Sequence, residues 1–257
     1  MIVQLWNFEP SVVIGTCLLV LGYALSIGPL RRRFRWGEAV APARQLAFYA
    51  GCLCMFVALI GPLDVLGDED LFSAHMGQHM LLTFVAAPLW VVGTPAWLIR
   101  LLVPQRLLAW MLNPFIAFAI FNGIMWFWHL PAIYDRALTN EWLHIGEHLL
   151  FMASAVIGWL PVLKSELSAQ MTPLRKLIYL AASMFSCTAL AALITLASVQ
   201  LYNFYGNISL HWGLTPMADQ QLGGVVMWML GDYLYMALIV WTFKQLLDPA
   251  HAEQEQV

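Results

Sequence analysis

The residues in this sequence best suited to chemistry are histidines. His75 and His79 are four apart, as are His144 and His148. On a helix, residues four apart share one face, so each pair can offer two imidazole nitrogens to one ion. The two segments are alike: HMGQHMLL at 75–82 and HIGEHLLF at 144–151 share His-x-Gly-[Gln/Glu]-His-x-Leu, which points to an internal duplication. Gln78 and Glu147 hold equivalent places, either as ligands or as acceptors that orient an imidazole. Gly77 and Gly146 cost helix propensity and are expected where two backbones approach closely.

Several imidazoles suit zinc, copper or iron, and the thioethers of Met76, Met80 and the more distant Met217 would tilt such a set toward copper, Cu(I) especially. If those methionines face neighbouring helices, they are packing residues. Haem between two axial histidines is the competing cofactor, although two histidines four apart on one helix cannot both ligate one haem. Purely structural histidines are a third reading. HIGEH also fits His-x-x-Glu-His, the inverted zinc-protease pattern, so a membrane-embedded hydrolase or oxidoreductase using His144, Glu147 and His148 is a rival. Against it, Gln78 stands in the first copy where the base would be.

The elements that must position these residues belong to a bilayer. At 61% apolar and 11% charged, the chain is far from the soluble norm of about half and a quarter. A net charge of -3 also argues against nucleic acid as a partner. Seven apolar stretches, near 10–30, 45–63, 74–99, 107–129, 142–163, 177–200 and 220–243, are long enough to span. The expectation is an all-α integral membrane protein: one seven-helix domain over 1–247 and a short disordered tail over 248–257. The basic cluster of the first span follows its apolar run, so the span reads as a retained helix and not as a cleaved signal.

Basic residues stay on the cytoplasmic side. Arg31, Arg32, Arg33, Arg35 and Arg44 follow the first span, Arg100 and Arg106 the third, Lys164, Arg175 and Lys176 the fifth, and Lys244 the seventh; only Arg136 falls opposite. This places the N-terminus outside and the C-terminus inside. His75 and His79 then begin helix three, His129 ends helix four, His144 and His148 begin helix five, and His211 lies in the loop before helix seven. All six fall on the outer side, either because they form one site or because imidazoles tolerate the headgroup region. His251, in the tail, reads as idle. A repeat of helices 3–4 and 5–6 about an axis along the membrane normal would set the four paired imidazoles face to face.

Other polar residues lie at depth. Asp219 reads as the N-cap of helix seven and as a candidate ligand, with Gln220 beside it as an orienting group. Asp232, in mid-membrane, is expected either to carry protons or to be protonated against Ser183 or Ser186. Asn113, Asn122 and Thr83 read as interhelical hydrogen bonders. Pro88 and Pro95 should kink helix three below its histidines. Asp64, Asp68, Glu69 and Asp70 make the first outer loop acidic, either as a solvated surface or as an attractor of cations toward His75. Cys17, Cys52, Cys54 and Cys187 lie in apolar runs without metal-type spacing and read as packing.

Four segments, HMGQHMLLTFVAAPLWVVGTP at 75–95, WHLPAIYDRAL at 128–138, WLHIGEHLLF at 142–151 and DQQLGGVVMW at 219–228, resemble the polytopic CtaG-type cytochrome c oxidase assembly factors. The resemblance covers helices three to seven; helices one and two match in hydropathy alone. It implies a bacterial plasma-membrane protein needed to make an active haem-copper oxidase by handling copper. Its partners would be oxidase subunits or copper chaperones on the outer face. The matching positions are His75, His79, His129, His144, His148, Asp219 and Gln220. The sequence reading is therefore a non-enzymatic assembly factor that binds a transition metal, copper first, at an outer histidine site. The rivals are the metal-dependent enzyme and a scaffold without cofactor.

Overall fold

The computed structural model describes residues 6–164, 166–167, 171–206 and 208–247, with the backbone alone at Ile208; the expected tail 248–257 and His251 lie outside them. Among the described residues the structure is helical, with no strand.

Proline sets many helix starts, because its missing N–H is no loss in a first turn and its φ is already helical. It opens α1 (Pro10–Phe34), α2 (Pro42–Ile60), the short α3 (Pro62–Glu69), α7 (Pro114–Trp128), α8 (Pro131–Leu138), α10 (Pro173–Thr195) and α11 (Pro216–Leu247). The others are α4 (Phe72–Gly93), α5 (Ala96–Leu102), α6 (Gln105–Met111) and α9 (Glu141–Leu163), with a 3-10 turn at Ile208–Trp212. Six of these helices are long and apolar enough to cross a membrane, or seven if α6 and α7, bent by 70° to each other, form one span. The expected span 107–129 is thus broken. Asn113 precedes a proline, which disfavours helical backbone, and its side chain accepts from the Phe115 and Ile116 N–H groups to cap α7. Asn113 is therefore a cap and not interhelical glue.

Proline acts differently inside α4. Pro88 cannot donate to the carbonyl one turn back, and the helix widens to a π-turn over Leu81–Ala86 just before it. Ala87 N–H then reaches back to the Leu82 carbonyl. The freed Thr83 carbonyl accepts the Trp159 indole N–H of α9 at 2.8 Å, and the Thr83 hydroxyl donates within its own helix to the His79 carbonyl. Pro95 does not kink a continuing helix: α4 ends at Gly93, and Pro95 is the cap from which α5 starts.

α4 is the hub of the bundle and packs against α2, α3, α9 and α11. Its apolar core is 61% buried, against 11% for α1 at the margin. Gly77 and Gly146 do not mark close approaches: a Cβ on Gly77 would meet only Leu63 at 3.6 Å, and one on Gly146 nothing within 4 Å. The tight contacts are elsewhere. A Cβ on Gly223 would fall 2.3 Å from the Phe72 ring, and one on Gly224 2.2 Å from the Thr195 hydroxyl, so the Gly-Gly pair lets α11 lie against α4 and α10.

The likeness of the two histidine segments continues upstream of the motifs themselves. Each histidine helix follows a short proline-started helix, α3 before α4 and α8 before α9, and each of those follows a longer one, α2 or α7. Pro62 precedes His75 by 75 - 62 = 13 residues and Pro131 precedes His144 by 144 - 131 = 13. Both histidine helices thus close the same sequence of elements, long helix, short helix, histidine helix.

Candidate metal centre

The first turn of each histidine helix is fixed by a side chain, because free N–H groups at a helix start need acceptors. Asn140 caps α9 through the Leu143 N–H. At α4 the acceptor comes from another helix: the Asp219 carboxylate of α11 accepts from Phe72 N–H at 2.8 Å, Ser73 N–H at 3.1 Å and the Ser73 hydroxyl at 2.6 Å. Asp219 does not cap its own helix. That role falls to Thr215, whose hydroxyl accepts from Ala218 N–H. With both oxygens of Asp219 engaged, the residue predicted as cap and ligand is a positioning residue for His75.

Held in this way, α4 and α9 set their histidines face to face. Ring centroids lie 4.2 Å apart for His75 and His79, 4.4 Å for His144 and His148, 5.3 Å for His75 and His144, and 5.3 Å for His79 and His148. His129, at the end of α7, stands 6.3 Å from His79. Donor atoms of His75, His144 and His148 lie within 4.8 Å of one another, and so do those of His75, His79 and Glu147. Asp68 of α3 brings its Oδ1 to 3.5 Å from His144 Nε2 and 3.6 Å from His75 Nδ1. Gly67 makes this possible, since a Cβ there would fall 2.8 Å from His75 Cα.

The chemistry of the cluster shows in what its atoms lack. Both ring nitrogens of His75 and His79, Nε2 of His129, His144 and His148, both oxygens of Glu147 and one of Asp68 are buried without a hydrogen-bond partner among the described residues. A buried polar atom left without a partner costs about 1–3 kcal/mol, so a cluster of them is unfavourable unless something fills it. An ion with exchangeable water would satisfy them, and the donor set fits one. His129 Nδ1 lies 2.6 Å from the Met125 carbonyl, which only accepts, so Nδ1 carries the proton and Nε2 presents its lone pair.

The remaining candidates fall outside the cluster. Met76 and Met80 are buried toward α11, near Gly223 and Gly231, so they pack and the donors at the site are nitrogen and oxygen. Gln78 does not mirror Glu147: its amide donates to the Ala58 carbonyl at 3.1 Å and to Asp64 at 2.8 Å, tying α4 to α2 and α3. Burial, then the nearby Asp68 charge, raises the Asp64 pKa from 3.8 to about 7, against the opposing Gln78 and Asn7 hydrogen bonds. Gln220 accepts from Leu201 N–H at 2.7 Å and so holds the loop after α10. His211 is exposed on the 3-10 turn. Asp232 accepts from Thr188 at 2.8 Å and from neither predicted serine, and the Ser186 hydroxyl instead accepts from Trp126. Asn122 donates within α7 to the Phe118 carbonyl. All four cysteines are free, Cys52 and Cys187 among the buried side chains.

Three tyrosines unremarked in the sequence close the cluster. Tyr205 donates to the Gly67 carbonyl at 2.6 Å and pairs with Tyr134 at 2.9 Å, while Tyr202 donates to the His129 carbonyl at 3.0 Å. Asp135 of α8 holds their loop by accepting from Asn203 and Phe204 N–H. No spacing rule reaches Tyr202 and Tyr205, because their loop meets the cluster only in three dimensions, while Tyr134 stands on α8 within the segment WHLPAIYDRAL.

Fold and site together define a protein that is helical over its described residues, with helices long and apolar enough to cross a membrane and a buried histidine–carboxylate cluster. Residues 21–248 match the family of cytochrome c oxidase caa3 assembly factors (Caa3_CtaG), and the chain belongs to that family. It is also 24% identical to uncharacterised proteins of Mycobacterium bovis and Mycobacterium tuberculosis over 93% of its length, and 24% identical to one of Mycobacterium leprae over 96%. The chain spans about 40% of the length of these relatives. No solved structure matches it.

Proposed function

We propose that this chain is a seven-span assembly factor of a bacterial plasma membrane that holds copper at its outer face and passes it to a haem-copper oxidase under construction. The N-terminus is outside and the C-terminus in the cytoplasm, as the basic loops require. The observation that carries the reading is the cluster of buried imidazole and carboxylate atoms without hydrogen-bond partners among the described residues, within which two groups, His75/His144/His148 and His75/His79/Glu147, each have their ligand atoms within 4.8 Å of one another. Imidazole and carboxylate donors suit copper, zinc and iron alike; copper is assigned because the product of the family's work is a copper enzyme.

The role is binding and release. Deeply buried His75, His79 and Glu147 give affinity, while Asp68, with 33% of its side chain exposed, and His144, with 15%, give the ion a way in and out. Glu147 lies 3.8 Å from His79, on the opposite helix, and is grouped with the α4 pair. A protease-type base would serve the two histidines of its own motif.

Elemental analysis and absorption spectroscopy of the detergent-purified chain test this. The expected result is bound copper without a Soret band, lost when all four paired histidines become glutamine, with a matching loss of oxidase activity in cell membranes. A Soret band would replace copper with haem. Intact oxidase assembly in the four-histidine variant would leave a scaffold.

A further inference from the structure

The two donor groups share one residue, and their exposure is graded. Asp68 and His144 touch solvent, whereas the side chains of His79 and Glu147 are 2% and 1% exposed. Resting on the metal-handling reading above, we propose that the cluster holds copper at two successive positions. The outer one is made by Asp68, His75, His144 and His148, and the inner one by His75, His79 and Glu147. The ion steps between them while His75 stays bound.

Geometry and charge both support the step. His75 is the member common to both groups, offering each of them one ring nitrogen within 4.8 Å of the other ligand atoms. Neither of its ring nitrogens has a hydrogen-bond partner among the described residues, so whichever tautomer forms leaves one lone pair for the ion, which pivots on that single nitrogen. An ion moving inward thus loses Asp68, His144 and His148 one at a time as His79 and Glu147 take their places. It is never without an imidazole.

Charge is compensated at each end, because a cation taken out of water needs a counter-charge beside it. Asp68 supplies that charge outside and Glu147 inside. His129, with a free Nε2 and its ring 6.3 Å from that of His79, stands ready as a further inner nitrogen. The exchange makes and breaks only metal–ligand bonds, so no oxidant or reductant is needed.

The experiment loads the full chain in detergent with one equivalent of Cu(II), records its paramagnetic resonance spectrum, and follows release to excess EDTA. The unmodified protein should show two copper signals, differing in the number of coupled nitrogens, and two release phases separated by about tenfold or more, the scale on which loss of supporting contacts changes metal retention. His79→Gln/Glu147→Gln should keep the fast phase and His144→Gln/His148→Gln the slow one.

A single signal with single-phase release in the unmodified protein overturns the two-position site, and does so without relying on any variant. Complete copper loss in both double variants, with binding retained by the unmodified chain, also overturns it while leaving the metal-handling reading intact. An unmodified chain that binds no copper defeats both.

Discussion

The two copies of the repeated unit fold alike and divide the work differently. Both present a histidine pair one turn inside a helix that follows a short proline-started helix, and the pairs meet across the interface of α4 and α9. Their carboxylates, however, come from different elements. The first copy supplies Asp68 from its short helix, where the second has Ala137, six residues after each opening proline. The second copy supplies Glu147 between its histidines, where the first has Gln78. Gln78 is engaged with Asp64 and the Ala58 carbonyl, while Glu147 has no hydrogen-bond partner among the described residues. The two segments thus match in their histidines and differ in their carboxylates, one at the more exposed edge of the cluster and one in its interior.

Exchanging the diverged pair should have the largest effect, and an unequal one. Gln78→Glu sets a second carboxylate against Asp64 and removes the donor to Ala58. An uncompensated buried charge costs about 3–5 kcal/mol, so thermal unfolding in detergent should show a marked loss of stability. Glu147→Gln should leave the melting temperature nearly unchanged and weaken copper retention by about 10–100-fold, read by competition with a chelator. Equal and opposite effects on stability would mean that the two positions are equivalent after all.

Asp219→Ala tests the asymmetry of the caps, since α4 borrows its cap from α11 while α9 carries its own in Asn140. Loss of a cap costs about 1–2 kcal/mol. The expected outcome is a lower melting temperature together with weaker copper binding. Asn140→Ala should disturb copper less, because His144 is the more exposed and exchangeable partner.

The gentlest change is Asp64→Asn, which keeps an acceptor for Gln78. The folded pKa of Asp64 is raised, so its favourable contribution is complete below about 3.8 and is lost as pH rises toward about 7. The melting temperature of the unmodified chain should fall over that window, and Asp64→Asn should remove that part of the fall. The second copy has Ile133 at the corresponding place and no such titration. An unchanged pH profile in Asp64→Asn would mean that Asp64 stays ionised throughout.

Much of the site was legible because its signal is local. The i, i+4 spacing of His75/His79 and His144/His148 and the twin motif name four donors without any coordinates. The spans were legible for a similar reason, as runs of apolar residues announce themselves one at a time. The roles of single polar residues were not. Asp219 was read against its own helix and serves another, Asn113 caps the break that turns span 107–129 into two helices, and Met76 and Met80 point toward α11. Each depends on which helix lies alongside.

The sequence by itself determined the helical membrane architecture, the two histidine pairs and their kinship, because these follow from composition and from periodicity along one chain. The tertiary structure alone decided that Asp68 and Glu147 stand beside the paired histidines, that Gln78 and Asp219 bond to other elements, and that Tyr134 and Tyr205 pair while Tyr202 reaches the His129 carbonyl. A ligand sphere is a property of distance in space, and Asp68 meets His144 across 76 residues of chain only because α3 lies against the start of α4 and α9.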